Sequence, residues 1–245
     1  MCNIKPIKHL LHNLFIITLS VILVFSCSNQ QQGTKKEEQI VQRIAGDVAL
    51  YQFHFKFGAT RMTKVITAAK ELLEAIRNPN VTLTENEIEL KVHTLTYLWL
   101  AAIPTTEYVA LVNSGEIGLV SSQTLLRKFK EMNNDLEKLL QFEELQINYI
   151  NQELRPFLNK HTDNTIYYTS QNFNTKGPER LSSLFKSSAK ELLNNREFAN
   201  LLVDVLFFTE RIMLPYNRLN TIMSDMDKII AEEYPNVEKE RYGPH

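Results

Sequence analysis

Apolar residues recur at alternating intervals of three and four between Glu37 and Arg77. On an α-helix this spacing puts one apolar side chain on the same face at every turn, as in the seam of a helical bundle. The interval therefore predicts one long helix that is buried along one side. The seam positions are Val41, Ile44, Val48, Tyr51, Phe55, Gly58, Met62, Val65, Ala69, Leu72 and Ile76.

A competing pattern lies inside this helix. The segment from Tyr51 to Phe57 (YQFHFKF) alternates with period two, as a β-strand does. Because the spacing of three and four continues on both sides of it, we predict helix here as well. Gly58 falls on the seam, where glycine costs about 1 kcal/mol of helix propensity, and it indicates the close approach of a neighbouring helix.

A capping box, Thr84-Glu-Asn-Glu87, predicts the start of a second helix. The threonine hydroxyl can accept from the amide of Glu87 while the Glu87 carboxylate reaches back to the amide of Thr84. We expect this helix to run to about Ala102 and to stop at Pro104, because proline disfavours a helical residue before it.

A break at Ser114-Gly115 separates two further helices. The first is short, is capped by Thr105 or Thr106 and ends near Val112. Glycine tolerates the left-handed backbone that commonly follows a helix end, which is the conformation we expect at Gly115.

The second of these helices is long. Ser121 or Ser122 caps it and it runs to about Asn159, with Glu143 at a seam position that would otherwise be apolar. Pro156 removes one backbone hydrogen bond, so we expect the last turn to bend.

The segment 161–178 is polar and predicts a loop, and residues 181–193 predict a short helix. Asn194-Asn-Arg-Glu197 then caps the last long helix, which extends to Tyr234 on a seam of the same spacing. Pro215 lies inside it and predicts a kink.

Glycine and proline are scarce, with 7 and 8 among 245 residues, which favours few long elements over a sheet with many turns. The sequence thus predicts an all-α fold, an elongated up-down four-helix bundle of long heptad-patterned helices with one helix broken at Pro104. We expect the bundle to occupy residues 37–234 and a disordered tail to occupy 235–245.

The first 26 residues have the features of a secretory signal. Lys5 and Lys8 precede an apolar run from Leu14 to Phe25 that is short for a membrane span. Val-Phe-Ser-Cys at 24–27 resembles a lipobox, the motif where bacterial lipoprotein signals are cleaved so that the cysteine becomes the acylated first residue. We therefore predict lipid attachment at Cys27; the alternative is an ordinary signal peptide or an uncleaved anchor that contains a cysteine.

Several expectations follow from acylation at Cys27. Residues 27–36 are polar and predict a flexible tether, so the chain would be anchored to the membrane without spanning it. Cys2 would leave with the signal, so no thiol would remain for a disulfide or a metal site. We expect a location in the bacterial cell envelope, on the outer membrane facing the periplasm, because no aspartate follows Cys27.

Two stretches resemble an uncharacterised bacterial family of membrane-anchored, all-helical envelope proteins, a domain of unknown function. They are YVALVNSGEIGLVSSQTLLR at 108–127 and LLNNREFANLL at 192–202. The resemblance implies the same order of helices and no catalytic residues. Members of that family often begin with a transmembrane helix, and this chain has a lipoprotein signal in its place.

A search for catalytic motifs yields only weak matches. Ser183-Leu-Phe-Lys186 and Ser187-Ser-Ala-Lys190 fit the Ser-x-x-Lys pattern of penicillin-binding proteins, but no Ser-Asp-Asn or Lys-Thr-Gly accompanies them. Glu89 and His93 lie four residues apart and could offer two metal ligands, although a solvated pair is the favoured interpretation. His54, among aromatic residues, predicts a partly buried histidine rather than a ligand.

We therefore expect no enzyme, no metal, no cofactor and, at a net charge of −1, no nucleic-acid partner. The leading hypothesis is a lipid-anchored, non-enzymatic envelope protein that acts through protein contacts, as a sensor-like or scaffolding module. The alternative is a binding protein for a small apolar ligand or lipid, held where aromatic side chains meet in the middle of the bundle. Those side chains are Tyr51, Phe53, Phe55, Phe57, Phe207, Phe208 and Tyr216.

Overall fold

The computed structural model describes residues 5–98, 100, 106–163 and 188–237, with side chains from residue 33 onward except those of 106–108. The predicted break at Pro104, most of the loop at 161–178 and the tail beyond residue 237 lie outside the described residues. Within the described residues the protein is an all-α helical bundle without strands, which confirms the predicted fold class.

Six α-helices make up the described part of the chain. Short 3-10 turns cover Glu116–Leu119 and Ala189–Asn194, and a π-helical turn covers Ile150–Leu154. Within the described residues no helix is both long enough and apolar enough to cross a membrane. The helices are α1 (Lys5–Arg77), α2 (Glu85–Leu95), α3 (Thr106–Asn113), α4 (Gln123–Tyr149), α5 (Arg155–His161) and α6 (Arg196–Glu233).

The helix ends follow the predicted capping residues. Thr84 and Glu87 form both hydrogen bonds of the capping box at α2. Ser122 accepts from the amide of Leu125 at 3.1 Å at the start of α4, and Gly115 has a left-handed φ of 73° after α3. The caps therefore place the breaks between these helices where the sequence predicted them.

The predicted end of α2 near Ala102 is wrong, because the helix ends at Leu95. The amides of Thr96 and Tyr97 bond to carbonyl groups three residues earlier, and the Thr96 hydroxyl bonds to the carbonyl of His93 at 2.9 Å. This tight last turn satisfies the terminal carbonyl groups and closes the helix well before Pro104.

The backbone of residues 27–36 is helical in the full-length chain, where the sequence predicted a flexible tether. These residues continue α1, so the polar composition that suggested flexibility does not interrupt the helix. The boundaries of the signal, the tether and the tail stay predictions. Pro156 lies in the first turn of α5, directly after the π-helical turn. The bend predicted at Pro156 stays a prediction.

The chain divides into two compact units. Unit 1 comprises Met1–Leu50, Pro104–Lys128 and Asp225–His245. Its core includes Ile40, Val41, Ile44, Val48, Leu111, Val120, Leu125, Met226 and Ile230.

Unit 2 comprises Tyr51–Ile103 and Phe129–Ser224. Within it α6 runs antiparallel to α1, because the ring of Phe55 meets that of Tyr216 and Lys70 pairs with Glu210. Its core includes Phe55, Met62, Val65, Ala69, Leu72, Ile88, Leu95, Leu139, Leu154, Phe198, Leu202, Ile212, Tyr216 and Leu219. Almost all of the predicted seam of α1 is thus buried.

Candidate functional site

The residues suggested as metal ligands do not form a cluster. Glu89 and His93 are half-buried on α2, so the expectation of a solvated pair is wrong. The His93 ring lies edge-on to that of Tyr97, with ring centres 5.3 Å apart. In the described part of the chain no group of three potential metal-ligating side chains comes together. His54 is half-buried, as predicted.

The other sequence candidates lie in parts where little is described. Ser183, Lys186 and Ser187 lie outside the described residues. Cys27 falls within α1, where the structure describes the backbone alone. Lipid attachment at Cys27 therefore stays a prediction.

The seven aromatic residues of the predicted ligand zone differ in burial and in contact partners. Phe55 and Tyr216 fill the core of unit 2, with ring centres 6.3 Å apart. Phe53 and Phe207 are exposed, and Phe208 contacts Tyr149 instead. The aromatic residues are thus divided between the core of unit 2, where Phe55 and Tyr216 are fully buried, and its surface, where Phe53 and Phe207 are exposed.

An open groove of about 280 Å³ lies between α1 and α2 in unit 2. Thr63, Thr67 and Leu90 line it, and Lys91 pairs with Glu71 at its edge. Ligand pockets are usually enclosed and larger, on the order of 300–1,000 Å³. The groove also holds none of the predicted aromatic side chains.

Polar contacts cross the buried side of α4 and α6. Glu143 occupies the seam position that the sequence singled out, and its Oε1 accepts a hydrogen bond of 2.6 Å from the Tyr216 hydroxyl. One turn along α4, Gln146 donates to Thr209 at 3.1 Å. All four side chains are buried.

A third contact extends this series toward the start of α4. Asp135 is buried, and its Oδ2 lies 2.9 Å from Nε of the exposed Arg218. The sequence order of the three contacts shows that α4 and α6 run antiparallel in unit 2. We refer to Asp135, Glu143 and Gln146 with their partners on α6 as the polar seam.

The polar seam restricts how α6 can rotate against α4. Burial, together with the adjacent Glu143 carboxylate, raises the pKa of Tyr216 far above its ordinary value. The hydroxyl thus remains a donor at every physiological pH. Since a buried polar group without a partner costs about 1–3 kcal/mol, a rotation that broke these contacts would be strongly unfavourable.

A separate network fixes the helix ends of unit 1. Glu37 Oε1 accepts from the Ser121 amide at 2.7 Å, from the Ser121 hydroxyl at 2.6 Å and from the Tyr234 hydroxyl at 2.7 Å. Burial alone would raise the pKa of Glu37, but these hydrogen bonds outweigh it and lower the pKa. One carboxylate therefore joins α1, the start of α4 and the end of α6.

The outer face of α6 in unit 2 carries exposed apolar side chains at regular spacing. Val203, Phe207 and Leu214 are 48%, 48% and 65% exposed. With the exposed Glu210, Asn217 and Thr221 they form a row with intervals of four and three residues. We call this row the α6 stripe; it comprises Val203, Phe207, Glu210, Leu214, Asn217 and Thr221.

Charge is nearly absent from the α6 stripe. Glu210 is its one ionisable residue, and Lys70 lies 2.9 Å from the Glu210 carboxylate. Arg211 flanks the stripe with its guanidinium 4.1 Å from the centre of the Phe207 ring. The stripe thus repeats the spacing of a bundle seam on a face that solvent reaches.

The polar seam predicts coupling between Glu143 and Tyr216. Tyr216→Phe removes the donor to a buried carboxylate and is expected to lower the free energy of unfolding by about 2 kcal/mol. Glu143→Leu leaves the tyrosine hydroxyl without that acceptor and costs a similar amount. The double variant restores an apolar seam, so its loss is expected to be smaller than the sum of the two.

Urea unfolding of the three variants at neutral pH measures this coupling. Tyr149→Phe is the matched control, because its hydroxyl bonds to an uncharged carbonyl, that of Leu201, at 3.0 Å and should cost about 1 kcal/mol. Strictly additive losses for the Glu143 and Tyr216 variants would contradict the coupling.

Burial of His93 predicts an acid-sensitive unit 2. Burial lowers the pKa of His93 below 6.5, so the folded state favours the neutral ring. This contribution to stability is complete above about pH 6.5 and is lost as the pH falls, because the unfolded chain binds the proton first. Between about pH 7.5 and 5.5 the free energy of unfolding of His93→Gln should therefore decrease by less than that of wild type. Equal decreases in the two proteins would contradict this prediction.

Comparison of the chain with protein-family models, with curated proteins and with solved structures finds no match. The resemblance of residues 108–127 and 192–202 to a family of helical envelope proteins therefore stays a prediction.

Proposed function

We propose that this protein is a lipid-anchored, non-enzymatic component of the bacterial cell envelope that acts through protein contacts, as a sensor-like or scaffolding helical module. The proposal places it on the periplasmic face of the outer membrane. The main support for the proposal is the α6 stripe, whose apolar residues Val203, Phe207 and Leu214 are exposed. Lipid attachment at Cys27, expected from the lipobox, would hold the bundle at the membrane.

The α6 stripe supports contact with a protein helix. The stripe positions, at intervals of four and three residues, match the spacing by which one amphipathic helix packs along another, and three of the six, Val203, Phe207 and Leu214, are apolar. Val203, Phe207 and Leu214 lie outside the buried core of unit 2, because about half or more of each residue is exposed. Their burial by a partner would remove this apolar surface from water.

The charges at the α6 stripe indicate what a partner helix would carry. Its apolar side chains would cover Phe207 and Leu214, and a cationic side chain would lie beside Glu210. The Lys70–Glu210 pair is exposed on both sides, so exchange of Lys70 for a cation of the partner would cost little.

The anchor is tested by metabolic labelling with a fatty-acid analogue. Wild type is expected to take up the label and Cys27→Ala to lose it, because acylation needs the thiol. Cys2→Ala is the matched control and should keep the label, since Cys2 would leave with the signal peptide. Label that persists in Cys27→Ala would overturn the lipoprotein part of the proposal.

The contact surface is tested by crosslinking in intact envelopes. Phe207→Asp and Leu214→Asp place a charge on the α6 stripe and are expected to reduce crosslinked complexes by about tenfold or more. Leu140→Asp changes a residue of α4 that is 47% exposed and should leave the complexes unchanged. Matching helical content and thermal midpoints for the three variants would exclude misfolding. Complexes that survive both stripe variants would contradict this surface.

A further inference from the structure

The short helix α3 is apolar on two sides. Leu111 faces inward and is buried, whereas Val109 and Val112 are 43% and 44% exposed. Leu119, on the 3-10 turn after α3, is 45% exposed. A helix that is apolar on its outer side as well as on its inner side leaves apolar surface in contact with water. We call Val109, Val112 and Leu119 the α3 patch.

The sequence around the α3 patch contains almost no charge. Between Glu107 and Arg127 the one ionisable acid or base is Glu116, apart from the phenol of Tyr108. The Glu116 carboxylate lies 3.0 Å from Arg43 and 3.7 Å from Lys36, which neutralise it. The exposed apolar side chains of the α3 patch thus belong to a segment of the chain that is almost without charge.

Cations of α1 lie beside the α3 patch. Lys36 and Arg43 remain substantially exposed although they contact Glu116, and Lys35 is exposed next to them. Apolar side chains bordered by lysine and arginine are the composition by which proteins bind the interface of an anionic bilayer.

The α3 patch is held close to the predicted anchor. Glu37 bonds to Ser121, two residues after Leu119, and fixes this part of the chain to α1. Cys27 precedes Glu37 by ten residues on α1, which is about 15 Å along a helix. Even if those residues were fully extended, they would span no more than about 35 Å.

We infer that the α3 patch rests on the surface of the bilayer that holds the lipidated Cys27, with the apolar side chains in the interface and the lysines near anionic headgroups. This inference rests on the proposed lipid anchor. The short connection keeps the patch at a high effective concentration near the membrane, so a weak intrinsic affinity for lipid suffices. Acyl chains and patch together would then fix the orientation of unit 1.

The test uses a fluorescent probe on the acylated mature protein, from which the signal peptide has been removed. Cys27 is consumed by acylation and Cys2 leaves with the signal, so a cysteine introduced at Val112 is the one free thiol. The Val112→Cys protein is labelled with nitrobenzoxadiazole and placed in vesicles of phosphatidylethanolamine and phosphatidylglycerol. Leu140→Cys in unit 2, with the same label, is the control of similar exposure.

Lipid carrying a nitroxide spin label then reports contact with the bilayer. We expect the probe at residue 112 to lose at least about half of its fluorescence and the probe at residue 140 to lose little, because interfacial residues lie within reach of the acyl chains. Equal and weak quenching at both positions would overturn the inference. A probe at residue 112 that is shielded by an added envelope protein rather than by lipid would overturn it as well.

Acylation of the same samples is measured by mass spectrometry, which separates the two proposals. If Cys27 is acylated and the probe at residue 112 is not quenched, the membrane contact of the α3 patch is contradicted while the lipid anchor is supported. If Cys27 is not acylated, the proposed anchor fails. Loss of quenching in Lys35→Gln/Lys36→Gln on anionic vesicles would support the electrostatic part of the contact.

Discussion

The hydrogen bond from Tyr216 to Glu143 is the contact on which the orientation of α6 in unit 2 depends. Both side chains are buried, and neither can turn to water if the bond is broken. A shift of α6 by one residue rotates its side chains by about 100° and would separate the pair. The polar seam thus favours the same rotational setting of α6 that buries its apolar residues Leu202, Ile212 and Leu219.

That setting decides which side chains remain outside. With Tyr216 against Glu143, the face of α6 that carries Phe207 and Leu214 is turned to solvent. The proposed contact surface therefore lies on the side of α6 opposite to this buried hydrogen bond. In unit 1 a single carboxylate has the corresponding role, since Glu37 holds Ser121 and Tyr234 at the helix ends.

Much of this fold could be predicted from local sequence. The spacing of the α1 seam, the capping box at Thr84 and the left-handed Gly115 each depend on residues within a few positions of one another. Glu143 could be singled out because it interrupts an apolar register. Its partner Tyr216 lies 73 residues away, and no local pattern connects the two.

The features that could not be predicted from the sequence depend on tertiary contacts and on the way helices end. Glu37 bonds to residues 84 and 197 positions away, so composition could not reveal its role. The early end of α2 is due to a tight last turn at Thr96, which resembles any other threonine in sequence. An apolar residue such as Leu214 also carries no local sign of whether it faces the core or solvent.

The setting of α6 can be measured by hydroxyl-radical footprinting of the purified full-length protein, followed by mass spectrometry. With α6 in this setting we expect rapid oxidation of Phe207 and Leu214 and slow oxidation of Tyr216, although a tyrosine ring reacts readily when water reaches it. Rapid oxidation of Tyr216, or protection of Leu214, would show that α6 is turned differently and would contradict both the polar seam and the α6 stripe.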